Sequence, residues 1–273
     1  MKSKSILIIL IFLCTSSWAQ NYIKGKVTDK KTGEPLPFVN IFVNNSQIGT
    51  VSNKYGDYQL QVNFNGIFEI FASFLGYKSA QKIVSTGKNN ILNFELTPNE
   101  ILLEEKLITD KKDKTWEKRL NQFTKYFFGK GDYASECKII NPWVLDIQKK
   151  QGKLIASSND QLLKIENLAL GYQVNYLLEN FSHDTEYTNF KGLVAFTPLE
   201  PKNESEANKW KNNRSRAYYG SLRHYFKSVI DDREEENGYE AYYTKVNDNG
   251  TRDDEQKIEV DKKNLFIFNQ INF

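Results

Sequence analysis

Between residues 21 and 98 the apolar positions come in short runs, at 22–27, 36–43, 49–52, 58–62, 67–74, 79–84 and 91–96. Clusters of turn residues separate them, such as Asp29-Lys30-Lys31-Thr32-Gly33-Glu34-Pro35 and Asn44-Asn45. Runs of this length bounded by Gly, Pro, Asn and Asp read as strands joined by tight turns, and seven of them in succession predict an all-β sandwich. Gly33 and Gly56 stand where a turn needs positive φ, and Pro35 restarts the chain in an extended conformation. No helical period interrupts this stretch.

The pattern then changes. Residues 99–115 are charged, lack alternation and read as a linker running into a helix. Trp116, Leu120, Phe123 and Phe127 recur at three- and four-residue spacing until Gly129 and Gly131 stop the helix. Tyr172, Val174, Tyr176 and Leu178 alternate as in a half-buried strand; 191–197 is another strand, closed by Pro198 and Pro201, and Leu265, Ile267 and Ile271 suggest a last one. Between them the spacing predicts a single helix over 204–229, opened by Asn203 with Glu206 in a capping-box arrangement or by Ser205. Projected at 3.6 residues per turn, Ala207, Trp210, Tyr218, Leu222, Tyr225 and Val229 share one side, with Arg214 near it. Lys209, Arg216, Arg223 and Lys227 line the opposite side. The fold class expected is therefore mainly β: a seven-stranded sandwich at 21–98, a linker and helix start at 99–115, and a mixed α+β region with two helices at 116–273. The abrupt apolar end at Phe273 is what a truncated chain would show, or a last strand that completes an unusual sheet.

Composition adds a compartment. Of 273 residues, 40% are hydrophobic and 14% aromatic, enough for a real core and against global disorder. Lys2 and Lys4 precede an unbroken apolar run at 6–13, and Ser17 and Ala19 occupy the two small positions of an A-x-A-like cleavage site. This reads as a signal peptide over 1–20, because the run is far shorter than the ~20 residues a spanning helix needs. The alternatives are a short membrane anchor and lipidation at Cys14, where the preceding Leu13 is bulky. Export would place the protein in the periplasm or at the outer membrane. Removal of residues 1–20 leaves 35 basic residues against 34 acidic ones, a near-neutral balance that gives no electrostatic case for nucleic acid. Cys137 would then be the one cysteine left, so no internal disulfide could form.

The residues of the first region carry a family resemblance. Gly25-x-Val27-x-Asp29-x-x-Thr32-Gly33-Glu34-Pro35-Leu36, then Gly49-Thr50-Val51-Ser52-Asn53-Lys54-Tyr55-Gly56-Asp57-Tyr58-x-Leu60, then Phe71-Ala72-Ser73-Phe74-Leu75-Gly76-Tyr77 resemble, in order, three signatures of the carboxypeptidase regulatory-like domain. The resemblance implies a transthyretin-like sandwich with no catalytic residues of its own, found beside metallocarboxypeptidases, at the front of outer-membrane receptors and in envelope proteins of unassigned role. Further along, Trp116, Leu120, Phe123, Phe128-Gly129, Cys137, Asn141-Pro142, Leu170-Gly171-Tyr172, Arg214, Arg216 and Tyr218 to His224 resemble the long tail that follows this module in a set of bacterial envelope proteins.

Candidate chemistry is sparse. His183-Asp184-Thr185-Glu186 is an H-x-x-E, the spacing by which zinc carboxypeptidases place two ligands. Zinc hydrolysis needs a third protein ligand and an activated water, and the only other histidine is His224. The βαβ series of such an enzyme is missing, so His183 reads as a polar loop residue. Cys137 reads as a buried small hydrophobe, and no glycine-rich phosphate loop follows a strand. No catalytic, metal or cofactor residue is assigned. The expected role is that of an exported, non-catalytic envelope protein, structural or binding. Lys209, Arg216, Arg223 and Lys227 are its candidate docking face toward an envelope protein or an anionic glycolipid. A zinc hydrolase using His183 and Glu186 is the disfavoured alternative. A carbohydrate-binding sandwich using Tyr55, Tyr58 and Tyr77 is the other.

Overall fold

The computed structural model describes residues 21–86, 91–99, 114–185, 187–240, 242–246 and 252–257. The expected signal peptide, most of the linker, Glu186 and the 265–271 strand lie outside the described residues.

The first region is the expected sandwich. Its strands are β1 (Asn21–Asp29), β2 (Asn40–Val43), β3 (Gly49–Val51), β4 (Asp57–Val62), β5 (Ile67–Ser73), β6 (Tyr77–Lys78), β7 (Ala80–Ser85) and β8 (Phe94–Pro98). They form two sheets, in the orders β4-β1-β8-β6 and β3-β2-β5-β7. The strand beyond the expected seven is β6, two residues long, which the Gly76 turn sets apart from β7. Alternation chooses the inward side chains: Tyr58, Leu60 and Val62 of β4 are buried while Asp57, Gln59 and Gln61 are exposed. Ile23, Val27, Ile41, Val43, Phe68, Ile70, Phe94 and Leu96 complete the layer between the sheets. β5 breaks the rule, because Phe71 points away from that core and is still fully buried.

The second region explains why. It begins with α1 (Lys114–Phe128), whose axis ends at Gly129 with φ of +69°. A six-stranded sheet comes next, built from β9 (Cys137–Ile139), β10 (Asp146–Lys150), β11 (Lys153–Ser157), β12 (Leu163–Asn167), β13 (Tyr172–His183) and β14 (Thr188–Pro198). β13 is the spine. Its first half pairs with β12 and its second half with β11, while β14 runs along its other edge throughout. A bulge at Glu179 shifts the pairing between Leu178 and Asn180, and the extra residue reverses the parity of the strand's second half. Val174, Tyr176 and Leu178 before it, and Phe181 after it, therefore all face α1, where Phe123 and Phe127 meet Phe181 and Tyr176. Leu177, Leu193 and Ala195 face the other way and pack on Phe71 and Phe42 of the sandwich.

That joint is also hydrogen-bonded. Ser46, in the β2–β3 turn, forms a parallel bridge to Ala195. The Asn45 amide donates to Val194 O at 2.7 Å, and Phe196 N donates to Ser46 O at 2.9 Å. At the far side Ser79 Oγ donates to Asp160 O. The molecule is thus layered: sandwich, second sheet, α1.

The expected helix over 204–229 is two helices, so the described residues hold three α-helices where two were expected. α2 (Glu204–Tyr218) is capped by Asn203, whose Oδ1 accepts from Glu206 N at 2.9 Å. Gly220 then takes φ of +82°, and Ser221 caps α3 (Leu222–Ile230) by accepting from His224 N. A glycine in the left-handed region followed by a serine cap ends one helix and starts another. Beyond α3 lies a hairpin of β15 (Tyr242–Val246) and β16 (Arg252–Lys257). Among the described residues no helix is long and apolar enough to cross a membrane.

Candidate functional site

The polar signature residues of the sandwich are spent on folding. Asp29 Oδ1 accepts from the amides of Lys31 and Thr32, and its Oδ2 accepts from Tyr77 Oη at 2.8 Å. The first and third signatures therefore meet at one hydrogen bond. Burial alone would push the Asp29 carboxyl up, but Tyr77 and the two amides outweigh it and hold it below the usual carboxylate value. Burial, and then Asp29, push the Tyr77 phenol up. Tyr58 is buried and donates to Leu92 O at 2.6 Å. Of the three tyrosines considered for carbohydrate binding, Tyr55 alone is left on the surface, at 58% exposure, with Lys54 Nζ over its ring.

The H-x-x-E residue that is described has a plain role. His183 Nδ1 lies 2.8 Å from Thr188 Oγ1 and its ring stacks on Tyr126 of α1. Among the described residues no group of three or more His, Cys, Asp or Glu side chains is placed to hold a metal ion. Cys137 is half-buried, more open than a core position. Burial and Glu136 raise its thiol pKa, the opposite of what a nucleophile needs. A shallow depression of about 450 Å³ runs along α1, lined by Lys114, Glu117, Lys118, Asn121, Gln122 and Lys125. All of these come from one helix, so it has a single wall.

The remaining candidate is the surface carried by α2 and α3. The buried side of α2 is fastened to the turn between β12 and β13. Trp210 Nε1 donates to Leu168 O at 2.8 Å, Asn213 Nδ2 to Ala169 O at 2.8 Å, and Arg214 Nε to Leu170 O at 2.7 Å. Arg214 also donates to Gly171 O and lies 4.1 Å from the Tyr172 ring centroid. Gly171 has φ of +68°, and a Cβ there would fall 2.2 Å from the Trp210 ring. The Leu170-Gly171-Tyr172 motif and Arg214 are thus two halves of one clamp. Arg214 projects to the buried side of α2, as its position on the helical projection indicated.

The four candidate cations do not form one stripe, because the chain bends at Gly220 between Arg216 and Arg223. Lys209 and Arg216 are on α2; Arg223 and Lys227 are on α3. Lys209 pairs with Glu136 and Lys227 with Asp231, both at the surface. Arg216 is exposed and has no ion pair among the described residues. Arg223 lies 5.9 Å from the Tyr218 ring; burial lowers its pKa, and Tyr218 and Tyr172 oppose that shift. Leu222, expected on the buried side, is 75% exposed at the bend, and Tyr219 beside it is 67% exposed. The elbow therefore puts two apolar side chains in solvent next to two arginines. The sequence pattern hid this arrangement, since it exists only if the helix is broken; the Gly220-Ser221 pair was the signal for the break.

Comparison with known proteins bears on the first region. No curated protein matches the sequence. Among solved structures, similarity is found to a candidate carbohydrate-binding protein of Bacteroides uniformis, at 10% identity and TM-score 0.23, over 65% of this chain and 98% of that one. A candidate membrane-associated protein of unknown function from Bacteroides fragilis gives 11% identity and TM-score 0.23, over 66% and 95%. A 9R-lipoxygenase of Cyanothece gives 11% and 0.22, over 79% and 48%. Likenesses this remote carry no argument about what this chain does. Residues 23–108 match the CarboxypepD_reg-like domain family, in agreement with the three signatures and the two-sheet sandwich they build. The N-terminal region of this chain is a CarboxypepD_reg-like domain.

Proposed function

We propose that the protein is an exported, non-catalytic component of a bacterial envelope, in which the CarboxypepD_reg-like sandwich and the second sheet form a rigid platform for the α2–α3 elbow. The elbow docks on an anionic amphiphile, a phosphate-bearing glycolipid surface being the chemistry it suits. The observation that carries this reading is the placing of exposed Tyr219 and Leu222 between Arg216 and Arg223. Arginine is the preferred partner of phosphate oxygens, and exposed apolar side chains beside cations suit a boundary between headgroup and acyl chain. The ion pairs of Lys209 and Lys227 are surface pairs of about 0–1 kcal/mol, weak enough to exchange for an external anion. Export is supported by the charged, apolar and small-residue segments of 1–20.

Sedimentation with vesicles tests it. The protein is expected to bind vesicles containing anionic phospholipid and not neutral ones, and Arg216→Ala with Arg223→Ala should weaken binding at least about tenfold, at roughly 1 kcal/mol per basic residue near the surface. Equal binding to neutral and anionic vesicles, or none to either, would sink the proposal. Crosslinking in intact cells that recovers a single abundant protein would then identify a protein partner instead.

A further inference from the structure

Beneath the elbow lies a histidine with one hydrogen bond, from Gly220, that works only when its Nδ1 is unprotonated. His224 is 8% exposed. Its Nδ1 stands 3.3 Å from the Gly220 amide nitrogen, which donates to it, and 2.7 Å from Tyr239 Oη. An amide N–H can only donate, so the Gly220 bond requires an unprotonated Nδ1 with its lone pair toward the bend. The Tyr239 hydroxyl is different. It can donate to Nδ1, or accept from a protonated Nδ1 and donate to Ser221 O, 3.4 Å away. Gly220 has no such choice.

The ring's own contacts are aromatic. Tyr218, Tyr219 and Tyr239 rings lie 5.0, 5.1 and 5.2 Å from it, and Tyr225 packs behind Tyr239. The elements around it carry Lys209, Lys211, Arg214 and Arg216 on α2 beyond its first turn, Arg223 and Lys227 on α3, and Asp231, Asp232, Arg233, Glu234, Glu235 and Glu236 on the segment that leads to Tyr239. Glu234 Oε2 is buried without a hydrogen-bond partner among the described residues, while the Glu234 carbonyl accepts from Tyr239 N. The His224 backbone is held independently of its ring, through its amide to Ser221 Oγ and its carbonyl to Ser228 Oγ. Across the bend, Ser221 donates to Tyr218 O from both its amide and its hydroxyl, and the imidazole supplies the acceptor for Gly220.

We infer that His224 is a proton-sensitive latch on the α2–α3 elbow. Unprotonated at Nδ1, it ties Gly220 to α3 and fixes the angle between the two helices. Taking up a proton, it turns its N–H toward Tyr239, Gly220 loses its acceptor, and the bend loosens while both helices persist. The spacing of Arg216 and Arg223 then depends on whether His224 carries that proton. This inference concerns the same elbow as the proposed docking surface, but its test needs no partner, so the two can fail separately.

The test is amide exchange by NMR on the full chain from pH 7.5 to 5.0, corrected for intrinsic exchange, with the His224 Cε1–H shift followed in the same samples. Protection of the Gly220 amide should fall about five- to tenfold as the ring titrates, the loss of one hydrogen bond, while amides around Trp210 hold theirs. His224→Asn offers a non-titrating acceptor near the Nδ1 position, and its Gly220 protection should be the same at both ends of the range. Tyr239→Phe keeps the imidazole and removes the acceptor for its protonated form, so the loss at Gly220 should still follow the titration of the ring, at whatever pH the variant places it. The latch is overturned if the ring titrates and Gly220 protection does not change, if the ring stays unprotonated down to pH 5.0, if His224→Asn keeps the wild-type pH dependence, or if in Tyr239→Phe the loss at Gly220 no longer follows the titration of the ring.

Discussion

The two regions solve the burial problem differently. The sandwich has two sheets and fills the space between them with its own side chains, so Val27, Ile41, Ile70, Phe94 and Leu96 are all fully buried within residues 21–98. The second region has one sheet and two faces to cover. α1 covers one; the other is covered only by the sandwich, through Phe71 and Phe42 against Leu177, Leu193 and Ala195. A sheet with an apolar face must bury it against another layer. The first region can therefore be read as a module, whereas the second borrows the module's outer surface to complete itself. On the proposed function, the sandwich contributes position, and the surface offered to a partner lies on the region that depends on it.

The sharpest way to break this comparison is at Phe71. Phe71→Ala removes a fully buried ring from the shared layer, and truncations of this kind cost about 3–5 kcal/mol. Urea unfolding of the full chain, followed by far-ultraviolet circular dichroism and tryptophan fluorescence, should show that loss. Three of the four tryptophans, Trp116, Trp143 and Trp210, lie in the second region and none lies in the sandwich, so fluorescence of the chain without residues 1–20 reports on the second region. A loss below about 1 kcal/mol would mean that the two regions merely touch. A change confined to circular dichroism, with fluorescence unmoved, would mean that they unfold separately.

The same difference explains what could be read from the sequence. Within the sandwich, strand alternation and turn residues agree at every step, and strands β1 to β8 fall on the predicted runs apart from the two-residue β6. Phe71 looked like an ordinary inward position in a continuous run; nothing local distinguishes a residue buried in its own sandwich from one buried against a later sheet. Strands β9 to β12 leave no legible pattern because they are three to five residues long and polar at their edges, as in Asp146-Ile147-Gln148-Lys149-Lys150. Gln151 and Gly152, both at positive φ, make the two-residue hairpin turn between β10 and β11, and Gly152 was the available clue. The elbow is illegible for the opposite reason: a good helical period runs straight across Gly220-Ser221 and outweighs them. The cations of the candidate surface were legible as residues, but their grouping depends on the bend and was not.

Gly171 tests how firmly the elbow is tied to the second sheet. Gly171→Ala strains a backbone at φ of +68° and also sets a Cβ 2.2 Å from the Trp210 ring. Strain and overpacking together should cost roughly 2–4 kcal/mol. Gly129 at the end of α1 has nearly the same φ, +69°, with nothing within 4 Å of an added Cβ, so Gly129→Ala should cost only about 1–2 kcal/mol. Thermal unfolding of the pair separates the contact from the backbone conformation. Equal losses would show that Trp210 moves aside freely and that the clamp is loose.

The smallest effect expected lies within the sandwich, and its shape matters more than its size. Tyr77→Phe removes the hydroxyl that donates to Asp29 and leaves the ring in place. Asp29 is held below its ordinary carboxylate pKa in the folded chain, so its contribution is present above the unfolded value of about 3.9 and is lost as pH falls through the folded one. Tyr77 is held above its ordinary value, so its contribution is present below about pH 10 and is lost as pH rises through the folded pKa. The stability gap between wild type and Tyr77→Phe should therefore be flat across neutral pH, close in acid below about pH 4, and close again in alkali above about pH 10. Urea midpoints measured from pH 2.5 to 11 would show that plateau. A gap that persists unchanged into acid would mean that the hydroxyl supports the sandwich by packing alone, and that the meeting of the two signatures at Asp29 contributes nothing to the fold's electrostatics.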